Sequence, residues 1–402
     1  MKRRLTSTLC RSLVWALTVA TATAQTPGGP ELNVVHYKAP EFPVAGSLSN
    51  EPALPSSSRP NQVQAPTPEP SASSAEWINS SPLTMSGLHG KVVLIDFWEY
   101  TCINCIRTFA ENKKWYERYH RFGFEIVGVH DPEFDIAYSP ENVRVAVKRF
   151  GLPYPVVVDV GFQIWKAYNN STWPNRFLID AKGFVRFSRP GEGGDSAFEH
   201  AIQQLLEEAH PGLQFPAEYT IAPEQNAFAP SCGVPTEEMY VGDWSGRGIL
   251  ANSEGYHQGK TLDYKTPGAV EDGRAAVSGR WETDKNSMIY RGKNKEGNES
   301  DKLVMRYHAR ELYAVLNVSH GKPSRLYIEQ DGKDLTAQNK GTDVQLDSGG
   351  HSYIEVREPR MYYLVENPSF GSHVVELLPS RAGLTVNSFT FGNDCQSQFP
   401  HL

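Results

Sequence analysis

Leu94-Ile95-Asp96-Phe97-Trp98-Glu99-Tyr100-Thr101-Cys102-Ile103-Asn104-Cys105-Ile106-Arg107-Thr108 joins an apolar run to two cysteines set three residues apart. Val92-Val93-Leu94-Ile95 shows no polar alternation, the pattern of a short strand buried on both faces. Past the cysteines, Ile103, Ile106, Phe109 and Tyr116 recur at helical spacing. The CxxC therefore falls where a buried strand passes into a helix. Unpaired N–H groups and the dipole at a helix N-terminus favour a thiolate. Such a thiolate attacks a disulfide, and a thiol one turn along resolves the mixed disulfide. Cys102 is thus the expected nucleophile and Cys105 the resolving cysteine. Asp96, near the strand end, is placed to take the proton of Cys105; a plain strand-end carboxylate is the other reading. The CxxC itself also reads as half a zinc site or an inert structural disulfide. Zinc would need two more ligands, and no second CxxC or Cys/His pair lies nearby, so no metal and no cofactor are expected.

Working outward, residues 76–210 alternate between strand and helix signals. Phe124-Glu125-Ile126-Val127-Gly128-Val129 and Pro155-Val156-Val157-Val158 read as further strands. Ser139-Pro140 opens a helix with Val143, Val147 and Phe150 on its apolar face and Gly151 as its stop. Phe177-Leu178-Ile179 and Phe184-Val185-Arg186-Phe187 read as a hairpin about Lys182-Gly183. Ser196 and Glu199 form a capping-box pattern before a last helix with Ile202, Leu205 and Leu206 on one face. This order predicts an α/β fold. His130, just after the second strand, reads as a satisfied surface histidine near the same rim.

Residues 211–235 read as a linker. Over 236–396 the hydrophobic period becomes two, in Lys302–Tyr307, Leu312–Val318, Arg325–Glu329, Ser352–Val356, Met361–Val365, His373–Leu377 and Thr385–Phe391, which predicts an all-β sandwich. Trp244, Tyr256, Tyr264 and Trp281 would either form a sugar-stacking platform or fill the sandwich core.

The 402 residues hold five cysteines, with 39 Lys plus Arg against 46 Asp plus Glu. No basic excess invites nucleic acid. Residues 1–24 read as a signal peptide: Lys2, Arg3, Arg4 and Arg11 precede or flank an apolar run from Leu13 to Ala20, and Ala22-Thr23-Ala24 is a small-x-small cleavage signature. Its removal would shift the formal charge from -7 to -11 and take away Cys10. An exported chain, periplasmic or extracellular and soluble after cleavage, is expected, in a compartment where disulfides persist. Residues 25–75 carry 10 of the 28 prolines and read as a disordered Pro/Ser-rich tether that builds no ladder. Cys232 and Cys395 flank the C-terminal region, and a structural disulfide between them is expected, as one choice among three connectivities.

The quoted segment resembles the thioredoxin superfamily, in particular its DipZ-type branch of redoxin-like thiol–disulfide oxidoreductases. Gly128-Val129-His130-Asp131-Pro132-Glu133-Phe134 and Tyr168-Asn169-Asn170-Ser171-Thr172-Trp173-Pro174 resemble it too. Glu238-Met239-Tyr240-Val241-Gly242, the strand of Trp281 and Ser388-Phe389-Thr390-Phe391-Gly392 are similar to the branch's C-terminal domain. The resemblance covers roughly 76–395. It implies a thioredoxin-like domain followed by a jelly-roll-like β-sandwich similar to carbohydrate-binding modules. It implies a cis bond at Trp173-Pro174 facing the CxxC, with Pro174 in the catalytic site and Trp98, Trp173 and Pro174 bordering the substrate. Longer members carry a membrane domain that passes electrons. Here a signal peptide and tether stand in its place, so a separate membrane or soluble electron donor is expected, or action as an oxidant. Ile103-Asn104 departs from the Gly-Pro of general thioredoxins, so their potential does not transfer.

The expected function is disulfide exchange with protein disulfide or dithiol substrates, with cytochrome c maturation or disulfide repair as the processes served. A peroxiredoxin-like thiol peroxidase is an alternative, although the second cysteine at i+3 favours exchange. A cell-surface module binding glycan or protein, with a structural CxxC, is another.

Overall fold

In the computed structural model the strand before the two cysteines, Val92–Trp98, is buried along its whole length. The structure describes Leu32 and residues 36–43, 75–218, 234–243, 249–292, 301–319 and 321–392. In chain order the first sheet contains β1 (Tyr37–Lys38), β2 (Glu76–Ile78), β3 (Val92–Trp98), β4 (Phe124–His130), β5 (Val156–Val158), β6 (Asn175–Ile179) and β7 (Phe184–Pro190). Its order is β1-β7-β6-β3-β4-β5-β2, with β3, β4 and β5 parallel and the remaining pairs antiparallel. Four helices accompany it: α1 (Ile103–Tyr119), α2 (Pro140–Phe150), α3 (Gln163–Ala167) and α4 (Asp195–Ala209).

The side-chain period of two divides β3 between the faces of the sheet. Val92, Leu94 and Trp98 enter the cluster that contains Ile106 and Phe109 of α1, whereas Val93, Ile95 and Phe97 enter the opposite one. Asp96 has the parity of Leu94 and Trp98, so it must face α1. On β4 the same rule groups His130 with Phe124 and Ile126.

Helix α2 begins at Pro140 and stops at Gly151, whose φ of 60° is the left-handed C-cap. The Ser196/Glu199 box does not form. Helix α4 starts earlier, with Gly194 as its N-cap, so Glu199 turns inward and accepts from Tyr119 Oη at 2.5 Å. The short α3 has no signature in the apolar period. Its orphan N–H groups are held by Asp159, whose carboxylate accepts from Gln163 N (2.8 Å), Ile164 N (2.7 Å) and Trp165 N (3.0 Å). We expect Asp159→Ala to cost about 1–2 kcal/mol, as for other lost caps. An unchanged urea midpoint would show that α3 needs no cap.

Residues 36–43 correct the expectation of a tether without ladder. Tyr37 and Lys38 pair with Val185 and Phe184 on the edge of β7. His36 stacks on Phe184 at 5.0 Å, and Phe42 meets Trp77 edge-on at 5.5 Å. Proline forbids pairing only where it stands, and Pro40 follows the two paired residues.

The second sheet holds β8 (Met239–Tyr240), β9 (Lys260–Tyr264), β10 (Arg274–Thr283), β11 (Met288–Gly292), β12 (Lys302–Val318), β13 (Ser324–Gln330), β14 (Lys333–Asp334), β15 (Gln345–Leu346), β16 (Ser352–Val356), β17 (Arg360–Pro379) and β18 (Leu384–Gly392). Its order is β15-β16-β13-β17-β12-β10-β11-β18-β8, and β18 also returns to β12, so this part closes around one core. Two pairs of expected strands are single long ones. β12 runs through a register shift between Ala309 and Glu311, and β17 runs past Pro368. Tyr264 and Trp281, each 1 % exposed, lie in this core, so they form no sugar platform. Trp244 and the expected Cys232–Cys395 pair lie outside the described residues, as does the expected signal peptide. No helix among the described residues is long and apolar enough to cross a membrane.

Candidate active site

Cys102 is the N-cap of α1, with extended backbone, and its sulfur accepts from Cys105 N at 3.3 Å. It is partly exposed, whereas Cys105, one turn along, is buried, and both are free thiols. The N-cap position thus supplies an N–H donor to Cys102, as expected. Burial nevertheless pushes the thiol above its ordinary pKa; the contact with Cys105 opposes this, and the Glu133 and Glu238 carboxylates add to it. Burial pushes Cys105 well up, and Cys102 raises it further.

Asp96 is fully buried on the α1 face, and its Oδ2 accepts from Asn112 Nδ2 at 2.8 Å. Burial raises its pKa to about 7 against the opposing effects of Arg176 and Asn112. Its charge is felt at Cys105. Asn112 lies two turns after Cys105 on the same face of α1, a spacing of seven that would have found it in the sequence.

The Trp173–Pro174 bond is cis. Pro174 is buried, and Trp173 is partly exposed with its ring 4.5 Å from Trp165. Trp98 is wholly buried, edge-on to Phe109 (5.2 Å) and His130 (5.0 Å). It is a core residue and cannot border a substrate; the parity of β3 turns it under α1. His130 is likewise buried, not on the surface. It stacks on Tyr100 at 5.7 Å, and its Nε2 stands 3.7 Å from Glu99 Oε1. Among the described residues no group of three or more His, Cys, Asp or Glu is gathered as a metal would require.

The second sheet abuts this centre. Arg107, five residues past Cys102, reaches Glu192 (3.4 Å) after β7 and Glu311 (3.1 Å) on β12. Its guanidinium lies 5.8 Å from the Tyr313 ring centroid, and Tyr313 Oη donates to Glu311 at 2.7 Å. A Cβ on Gly392 would stand 2.8 Å from Arg107 Nη2, so glycine permits the approach. Tyr240 Oη of β8 donates to Glu133, which follows β4. The sequence assigned no role to Glu133, Tyr240 or Glu311, because the pairs Glu133–Tyr240 and Arg107–Glu311 lie more than 100 residues apart and leave no spacing pattern.

Residues 64–188 match the sequence model described as the AhpC/TSA family, and residues 236–392 match the one described as thioredoxin like C-terminal domain. Protein DipZ of Mycobacterium bovis is 32% identical over 320 residues, covering 79% of this chain and 41% of DipZ. The chain thus spans about two fifths of that relative. Thiol-disulfide oxidoreductase ResA of Bacillus thuringiensis is 29% identical over 128 residues, 32% of this chain and 71% of ResA. The crystal structure of a thiol-disulfide isomerase from Corynebacterium glutamicum aligns with a TM-score of 0.31 and 26% identity over 33% of this chain and 90% of its own. The match to DipZ is long enough to run through both sheets, so the chain is similar to DipZ across an α/β sheet and the all-β C-terminal part that follows it.

Proposed function

We propose that the chain is an exported thiol–disulfide oxidoreductase that exchanges disulfides with protein substrates through Cys102 and Cys105. The observation that carries this reading is the partly exposed Cys102 at the N-cap of α1, with the buried Cys105 one turn behind it. In the reducing direction the Cys102 thiolate attacks a substrate disulfide, the substrate S–S bond breaks, and a mixed disulfide forms. Cys105 gives its proton to Asp96 and attacks Cys102 Sγ, and the second substrate thiolate leaves. Two electrons pass to the substrate, and a separate dithiol donor must restore the pair. Cytochrome c maturation and disulfide repair are processes that need this chemistry.

The test is trapping. The Cys105→Ser variant, expressed in the native host and quenched with acid, is expected to carry partner proteins on Cys102 that dithiothreitol releases. A folded variant that captures none would remove the proposal. The AhpC/TSA match favours thiol peroxidase as a second reading. Hydrogen peroxide turnover by the same variant, without captured protein, would select it.

A further inference from the structure

Building on the disulfide-exchange reading, in which Cys102 is the nucleophile, we propose that Glu99 is a positioning residue: its buried side chain builds the turn that carries Cys102 to the N-cap of α1.

β3 ends at Trp98, and the chain reaches Cys102 through Glu99, Tyr100 and Thr101. It does so in one β-turn, with Cys102 N donating to Glu99 O at 3.3 Å. The Glu99 side chain closes the same turn a second time. Its Oε2 accepts from Thr101 N at 2.6 Å and from Thr101 Oγ1. Cys102, the next residue, has the extended backbone of an N-cap, and that conformation brings its sulfur to Cys105 N at 3.3 Å. An unbroken run of contacts thus leads from the Glu99 carboxylate through the Cys102 backbone to the N–H donor at the Cys102 sulfur.

Glu99 is wholly buried, and a buried carboxylate is costly unless it is hydrogen-bonded or paired. Thr101 supplies the donors to Oε2, and Oε1 faces His130 Nε2 at 3.7 Å. His130 backs the whole segment: it meets Trp98 edge-on at 5.0 Å and stacks on Tyr100 at 5.7 Å. Tyr100 Oη donates to Ile136 O at 3.2 Å. Both central residues of the turn are therefore fixed by side-chain contacts, one through Tyr100 Oη and the other through Glu99. Without the Glu99 carboxylate the turn loosens, and the Cys102 sulfur loses the fixed N–H at Cys105. A hydrogen bond to the charged form favours that form, so the thiolate then forms less readily.

The experiment is the pH dependence of iodoacetamide alkylation of Cys102 in the full chain, followed by peptide mass spectrometry. Glu99→Ala is expected to slow alkylation at pH 7 roughly three- to tenfold and to raise the midpoint of the profile by about half to one pH unit. Glu99→Gln keeps a side-chain oxygen for Thr101 N and should restore the rate to within about twofold. Both variants leave in place Cys105, Glu133 and Glu238, whose charge or hydrogen bonds act on the Cys102 thiol. A folded Glu99→Ala with an unchanged profile overturns the proposal, however much stability it has lost. So does a Glu99→Gln as slow as Glu99→Ala. Should Glu99→Ala not fold, Thr101→Val decides: it removes the hydroxyl donor alone and is expected to slow alkylation about twofold, and an unmoved profile overturns the proposal. Alkylation needs no protein disulfide, so failure of the trapping experiment and failure here are distinct.

Discussion

Asp96→Asn is expected to slow the resolving attack of Cys105 by about 100-fold or more at pH 7, the usual contribution of a positioned general base. The rate of substrate release from a preformed mixed disulfide on Cys102 is the quantity to follow. In the unaltered chain this rate should rise with pH through about 7, where Asp96 loses its proton. In the variant that limb should vanish, leaving only a rise at higher pH as the Cys105 thiol ionises unaided. Stability should move the opposite way. The folded-state pKa of Asp96 lies above the unfolded value, so its favourable contribution is complete below the unfolded pKa and is lost as pH rises through about 7. Above that pH the fold carries an ionised buried carboxylate. At ~1.4 kcal/mol per pH unit the shift from 3.8 to about 7 corresponds to a cost on the order of 4 kcal/mol. Asp96→Asn should therefore melt higher at pH 8 and show little change at pH 4. Equal release rates and equal pH profiles would rule Asp96 out as the base.

Glu311→Ala is expected to destabilise the chain by about 3–5 kcal/mol, because it leaves the Arg107 guanidinium in a buried site with the longer contacts to Glu192 (3.4 Å) and Asn104 (3.5 Å). Side-chain exposure decides the magnitude. Arg107 is 11% exposed and Glu311 7%, whereas an ion pair in water is worth 1 kcal/mol or less by the general rule. The change also removes the acceptor of Tyr313 Oη. Because the pair joins α1 to β12, urea unfolding of the variant should separate into two transitions, one for each sheet. A shift below about 1 kcal/mol with one transition would show that the seam is held elsewhere.

How far the sequence reaches follows from the range of each interaction. β3, β4 and α1 were legible because their apolar residues recur at the period of the element that buries them. Cys102, Cys105 and Asp96 were read from their places along that pattern, and the cis bond at Trp173-Pro174 from the resemblance. The resemblance set Trp98 at the substrate, whereas the alternation of β3 sends it to the core. His130 was read as lying past the end of β4, whereas it is the last residue of that strand and is buried with it. Ser196 and Glu199 had the right spacing for a cap, but spacing does not say where a helix begins. Helix α3 is too short for a period and is fixed by one carboxylate. The contacts of Arg107 with Glu311 and of Tyr240 with Glu133 depend on how two sheets meet, and no local pattern encodes that.

The two short strands β1 and β2 occupy opposite ends of the first sheet. The disulfide exchange proposed above would bring the chain beside extended, incompletely folded proteins. Such chains carry unpaired backbone groups that seek any open sheet margin. By laying Tyr37–Lys38 along β7 and Glu76–Ile78 along β5, the chain ends its first sheet on strands of two and three residues, too short to template a long pairing. In the proposed exchange, a client approaching the Cys102 end of α1 then meets no long open strand along either side of this sheet.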